Sequence, residues 1–331
     1  MTLGVHLCPL PSQALTFEFS GLEGLVSNVP AIDALTRAAD QWEAIFVNPI
    51  TVNIQTSMSN FGDSPAAAFG GGNLVTHSYD TVRNELVADA MSSPSKSINT
   101  FLPTSSELRF DAPPGATVDT SQVLLSDTIA MALGIPVDNP FSTIGFNSQL
   151  SWDFNRSDGI DPQKFDFEGV ALHEIGHTLG FFYSGVNAIG GCQQDCFINP
   201  GIMDLFRFEQ GSAPSTPSEF ATFPRSLSPD VETVFSDSRS QFAMSTGPGG
   251  DGFGADHWKF SGFTGTRIGI MDPTFAPGEK PSIEFADIRA LELIGYDRKV
   301  GAPEPAAMWV VVSGLLMLFG YAQWSRRKES L

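Results

Sequence analysis

The chain has 331 residues, 42% of them hydrophobic and 17% charged, with a net charge of −19. That is enough apolar material for one large domain or for two lobes around a cleft. So acidic a chain lacks the basic surface that nucleic acid or an anionic membrane requires, so nucleic acid is excluded as a partner, and a membrane except through the C-terminal segment.

Residues Met1 to Ala14 are apolar and carry no Lys or Arg, yet Ser12-Gln13-Ala14 has the small-residue character of a signal cleavage site. Residues 1–14 are therefore read as the end of a secretion signal and 15–300 as the main domain. Leu15 to Phe19 alternates like a strand, Ala31 to Phe46 has helical spacing, and Ile50 to Ile54 alternates again. Residues 56–78, with Gly70-Gly71-Gly72, read as a loop, and His77 in it as a polar turn residue. Tyr79 to Met91 and Ser121 to Leu133 read as helices, and Gln149 to Phe154 as a strand. Asn155 to Lys164 reads as a polar loop, whose Asp158 and Asp161 do not complete a calcium loop. From Ser184 to Asp256 the texture turns to Pro, Gly and Ser, and Asp287 to Ile294 reads as a closing helix. Cys192 and Cys196, in a loop opening with Gly190-Gly191, suit a small disulfide in an oxidising compartment. Cys8, beside His6, has the spacing of a thiol that could mask a metal, but it lies inside the expected leader.

The sharpest signal is Ala171 to Phe181, which contains His173-Glu174-Ile175-Gly176-His177. On a helix of 3.6 residues per turn, His173 and His177 fall on one face and can reach one metal ion. Glu174 lies beside them, where it can act as general base toward a water. This pattern marks zinc-dependent hydrolases. Leu172, Ile175 and Leu179 anchor the helix in a core, and Gly180 serves as its stop.

A catalytic zinc takes three protein ligands and leaves a position open. Beyond His173 and His177, the short-spacing assignment is Tyr183, paired with Met203 of Gly201-Ile202-Met203-Asp204. The alternative is His257, in Asp256-His257-Trp258, followed by Met271 in a second Gly-Ile-Met-Asp at 269–272. Imidazole is the better zinc ligand, which favours His257. The segments His173–Phe181 and Asp256–Tyr296 resemble the leishmanolysin-like metzincins, in which a long insertion separates the helix motif from the third histidine. The resemblance implies zinc held by His173, His177 and His257, Glu174 as base, and Met271 in a methionine turn beneath the metal. It also implies an α+β zincin fold: a mixed twisted sheet with helices in an N-terminal lobe (15–183), the active-site helix at the cleft, and a loop-rich C-terminal lobe (184–300).

The end of the chain has three parts in order: Pro303-Glu304-Pro305, the uncharged run 306–324, and Arg326-Arg327-Lys328. The run is long enough to span a bilayer and the basic end should stay in the cytoplasm. Residues 301–331 resemble a PEP-CTERM sorting tail, which implies an exosortase-type processing partner. The expectation is thus an exported or cell-surface zinc endopeptidase acting on proteins or peptides. The alternative is a zinc-stabilised surface or matrix protein without turnover, against which Glu174 argues, since structural zinc needs no base.

Overall fold

The computed structural model describes residues 14–190 and 196–299. Residues 1–13 of the expected leader (1–14), Cys192, and the tail with Pro303, Glu304, Pro305 and the apolar run 306–324 lie outside the described residues. Among the described residues no helix is long and apolar enough to cross a membrane.

The fold is α+β, with helices on several small sheets. In chain order the first elements are β1 (Thr16–Glu23), α1 (Val29–Ile45), β2 (Thr51–Ser59), β3 (Ala68–Gly72), β4 (Leu74–Ser78) and α2 (Tyr79–Ser92). Next come β5 (Phe110–Asp111), β6 (Ala116–Val118), β7 (Gln122–Ser126), α3 (Asp127–Ala132), β8 (Ser142–Asn147), β9 (Trp152–Asp153), β10 (Phe165–Asp166) and α4 (Phe167–Leu179). The largest sheet has the order β1-β2-β8-β3, with β1, β2 and β8 parallel and β3 antiparallel at its edge.

Helix α1 is the crossover that parallel pairing of β1 and β2 requires. The Asn28 side chain caps it by accepting the Ala31 amide, and Pro30 stands in the first turn. Its buried stripe, Ala31, Ala34, Leu35, Ala38, Ala39 and Trp42, follows the helical period. Trp42 donates its indole N–H to the Leu172 carbonyl at 3.1 Å and so ties α1 to α4. Every residue of α4 is buried. The charges at its start are neutralised: Arg156 lies 2.9 Å from Asp166, and Arg37 lies 2.8 Å from Glu168. At its end Gly180 adopts φ 142°, where a side chain is strained, and donates to the Gly176 and His177 carbonyls.

Three expectations are corrected. Residues 56–78 are not one loop, because β2 runs on to Ser59 and both β3 and β4 follow. Gly70-Gly71-Gly72 pairs with β8 because close approach to neighbouring elements needs residues without side chains, a demand that local propensity does not reveal. Ser121 to Leu133 is not one helix: β7 pairs antiparallel with β4, and α3 starts only after Ser126, whose hydroxyl accepts the Ile129 amide. An apolar run such as Val123-Leu124-Leu125 fits a strand or a helix until its partners are known. The strand expected over 149–154 shrinks to Trp152–Asp153.

The second half holds short elements: α5 (Gly185–Gly190), β11 (Cys196–Ile198), β12 (Arg207–Glu209), α6 (Pro217–Thr222), β13 (Arg225–Ser226), β14 (Thr233–Ser236), β15 (Gln241–Met244), α7 (Ser261–Thr264) and α8 (Phe285–Leu293). Strands β12, β14 and β15 form an antiparallel sheet. One apolar core runs from Leu15 to Tyr296 and takes residues from both sides of position 183. Cys196 is disulfide-bonded.

Trp42 is fully buried and joins two elements. Trp42→Ala should cost about 3–5 kcal/mol of stability, read as a lower denaturant midpoint in equilibrium unfolding, and Trp42→Phe should cost less.

Candidate metal centre

The one-face arrangement of His173 and His177 follows from helix geometry within α4. What α4 alone cannot supply is a third group, and the loop after β15 brings it. His257 Nε2 lies 3.1 Å from His177 Nε2, which is itself 3.0 Å from His173 Nε2. Among the described residues these three form a group with metal-ligand spacing. Each ring is oriented from outside. His173 Nδ1 faces the Ile270 carbonyl at 2.8 Å and His177 Nδ1 the Phe181 carbonyl. His257 Nδ1 faces the Gly254 carbonyl at 3.1 Å and the Asp256 carboxylate at 3.2 Å. Oxygen acceptors cannot donate, so Nδ1 carries the proton in each ring and the three Nε2 lone pairs face one another. Nitrogens bound at about 2.0–2.1 Å to a tetrahedral ion stand about 3.3 Å apart, so the donor set fits a metal closely.

Burial is the largest influence on the charges of these groups. Burial, and then the neighbouring rings, hold His173 well below the usual histidine range, and burial with His257 brings His177 down to about 4. Burial opposes charge on His257 too, but there Asp256 prevails and raises it. Burial, followed by Asp256, pushes Glu174 up to about 8. Burial would also raise Asp256, but the facing histidines outweigh it and bring it to about 2. The buried Glu174 Oε2 has no hydrogen-bond partner among the described residues.

The histidines, Glu174 and Asp256 line one cavity of about 440 Å³. One wall is Phe275, edge-on to His173 with ring centroids 5.2 Å apart. Residues 68–70 of β3 also line the cavity. Asn147 N–H donates to the Ala67 carbonyl and Asn73 N–H to the Phe141 carbonyl, so odd-numbered positions of β3 bond to β8. In an antiparallel ladder the alternate residues, Ala68 and Gly70, then turn their backbone groups to the outer edge, away from β8, and both residues line the cavity. A Cβ at Gly70 would lie 2.6 Å from the Glu174 carbonyl oxygen and 2.9 Å from its Oε2, so only glycine lets β3 lie this close. Met271 is fully buried beneath α4, where a Cβ at Gly176 would strike its sulfur.

The other candidates lie apart. Tyr183 donates to the Asn199 carbonyl at 3.2 Å, and neither it nor Met203 lines the cavity. His77 sits on β4 with its Nε2 buried and without a partner among the described residues. Asp161 pairs loosely with Lys164 at 3.7 Å, and Asp158 lies in a short 3₁₀ turn. Asp256, Gly70 and Asp287 escaped the sequence reading. Asp256 had one available signal, an acid directly before a candidate ligand histidine. Compared with protein families, curated proteins and solved structures, the chain matches none.

His257→Ala should empty the centre, whereas Tyr183→Phe and His77→Ala should bind metal like the wild type; metal content after dialysis of the purified variants reads the difference. Asp256→Ala removes the carboxylate behind His257 and should weaken binding by about 10–100-fold in a competition titration.

Proposed function

We propose that the chain is a zinc-dependent endopeptidase of metzincin type, with zinc held by His173, His177 and His257. The observation that carries this reading is the partnerless carboxylate of Glu174 in the same cavity as three converging imidazoles, beside an open strand edge. A closed structural site would need a fourth ligand and no base. When bound, zinc supplies Lewis-acid activation of a water and of the scissile carbonyl. With a cation held by the three histidines, Glu174 would be ionised and could serve as the base. Glu174 then takes a proton from the attacking water and delivers it to the leaving nitrogen as the peptide bond breaks.

An extended peptide suits the cleft. Ala68 and Gly70 offer backbone donors and acceptors along the cavity, which is the requirement for adding a strand to a sheet edge. Phe275 and Phe165 add apolar surface to the cavity. Met271, packed under Gly176, floors the centre in this reading. An exported or cell-surface location, with the tail handled by an exosortase-type enzyme, fits the order of motif, apolar run and basic end in residues 303–328.

Glu174→Gln keeps shape and removes the base. It should retain zinc and lose hydrolysis of an unfolded protein substrate by several orders of magnitude, as single-turnover assays would record. A chelator should abolish wild-type hydrolysis and added zinc should restore it; hydrolysis indifferent to both would sink the proposal.

A further inference from the structure

Asp287, in the first turn of α8, is fully buried and has no part in the reaction above. Its carboxylate is filled by four N–H groups. Oδ2 accepts from the Ile270 and Glu284 amides, each at 2.8 Å, and Oδ1 from the Trp258 indole at 2.7 Å and the Met271 amide at 3.3 Å. The turn from Gly269 to Met271 wraps the carboxylate so tightly that a Cβ on Gly269 would meet both oxygens.

From those partners the chain of contacts reaches each histidine. The Ile270 carbonyl is the acceptor that orients His173 Nδ1. Trp258 is the residue after His257, and its backbone N–H donates to the Met271 carbonyl at 3.0 Å. The Trp258 ring packs edge-on against Phe181, with centroids 5.1 Å apart, and the Phe181 carbonyl orients His177 Nδ1. One carboxylate thus fixes the segments that aim three rings at one point.

We propose that Asp287 is a positioning residue for the metal centre, setting the spacing of His173, His177 and His257 through Ile270, Trp258 and Met271. The inference rests on the metal-binding half of the function proposed above, not on peptide hydrolysis. Its charge and its acceptor count both matter. An asparagine of the same shape has one acceptor oxygen, and its amide would place two donors against Ile270 and Glu284, or against Trp258 and Met271. In either orientation one ligand segment loses its hold.

The test uses Co²⁺, whose visible bands report ligand geometry, added to the whole protein and to Asp287→Asn, Trp258→Phe and the double variant. Asp204→Asn is the control. Asp204 is equally buried and accepts from Ser184 Oγ, Gly185 N and Gly201 N, none of which orients a ligand histidine. Asp287→Asn should weaken Co²⁺ binding by about 10–100-fold and shift the bands, the effect expected of removing an outer partner of the ligands. Trp258→Phe should do so to a smaller extent, and the double variant should lose less than the sum, because both act through one contact. Asp204→Asn should lower the unfolding temperature and leave Co²⁺ affinity and spectrum unchanged. Wild-type affinity and bands in folded Asp287→Asn would overturn the proposal, as would an equal loss in Asp204→Asn. If Asp287→Asn does not fold, unchanged binding in Trp258→Phe overturns it. A wild type that takes up no Co²⁺ overturns this inference and the metal reading together; one that binds but cleaves no peptide overturns only the endopeptidase reading.

Discussion

Three nitrogen lone pairs 3.0 and 3.1 Å apart repel one another and hold their places only because oxygens outside the cluster fix each ring. Much of the surrounding structure serves that constraint. The carbonyls of Ile270, Phe181 and Gly254 come from three separate loops, and the core must hold those loops in register for the rings to converge. Asp256 holds His257 from behind, and Glu174 lies in the same cavity. Three buried acceptors facing one another are costly by themselves and favourable around a cation.

Glycine provides the closeness. At Gly70, Gly176 and Gly269 a side chain would strike Glu174, Met271 and Asp287 respectively. Each glycine lets another segment approach closely, and together they stack the edge strand, the histidine helix, the turn at Met271 and the Asp287 carboxylate. The layering is compact because no Cβ separates the layers. The same feature makes the layers sensitive, since the neighbours at Gly70 are backbone atoms of a fully buried helix.

Buried charges hold the rest of the frame. Lys96 is fully buried between Asp89 and Asp297, at 2.7 Å from each, and so ties a turn after α2 to the end of the described chain. Arg289 on α8 joins Asp237 and Glu292, and Arg225 is sandwiched between Phe208 and Phe220 at 5.0 Å from each ring. Removing one partner of such an ion pair leaves an uncompensated charge in the core, which is strongly destabilising. That half has short elements and few long periodic runs, and its order comes from these fixed points.

The sequence by itself determined whatever depends on near neighbours in the chain. The helical period put His173, Glu174 and His177 on α4, Gly180 ended it, and the stripe from Ala31 to Trp42 marked α1. The succession of strand and helix patterns suited a mixed sheet with helices on it. The tertiary structure decided what depends on distant pairing. Gly70-Gly71-Gly72 became an edge strand only because β8 and α4 lie beside it, and Val123-Leu124-Leu125 became a strand because β4 pairs with it. His257 stood out in the chain for its residue type and the downstream Met271, but its meeting with His173 and His177 is a matter of how loops cross the core. Asp287 was invisible in the sequence because a buried carboxylate and a solvated one read alike until the four N–H groups around it are known. Local geometry is carried by a few consecutive residues, whereas convergence of remote segments is a property of the whole packed core.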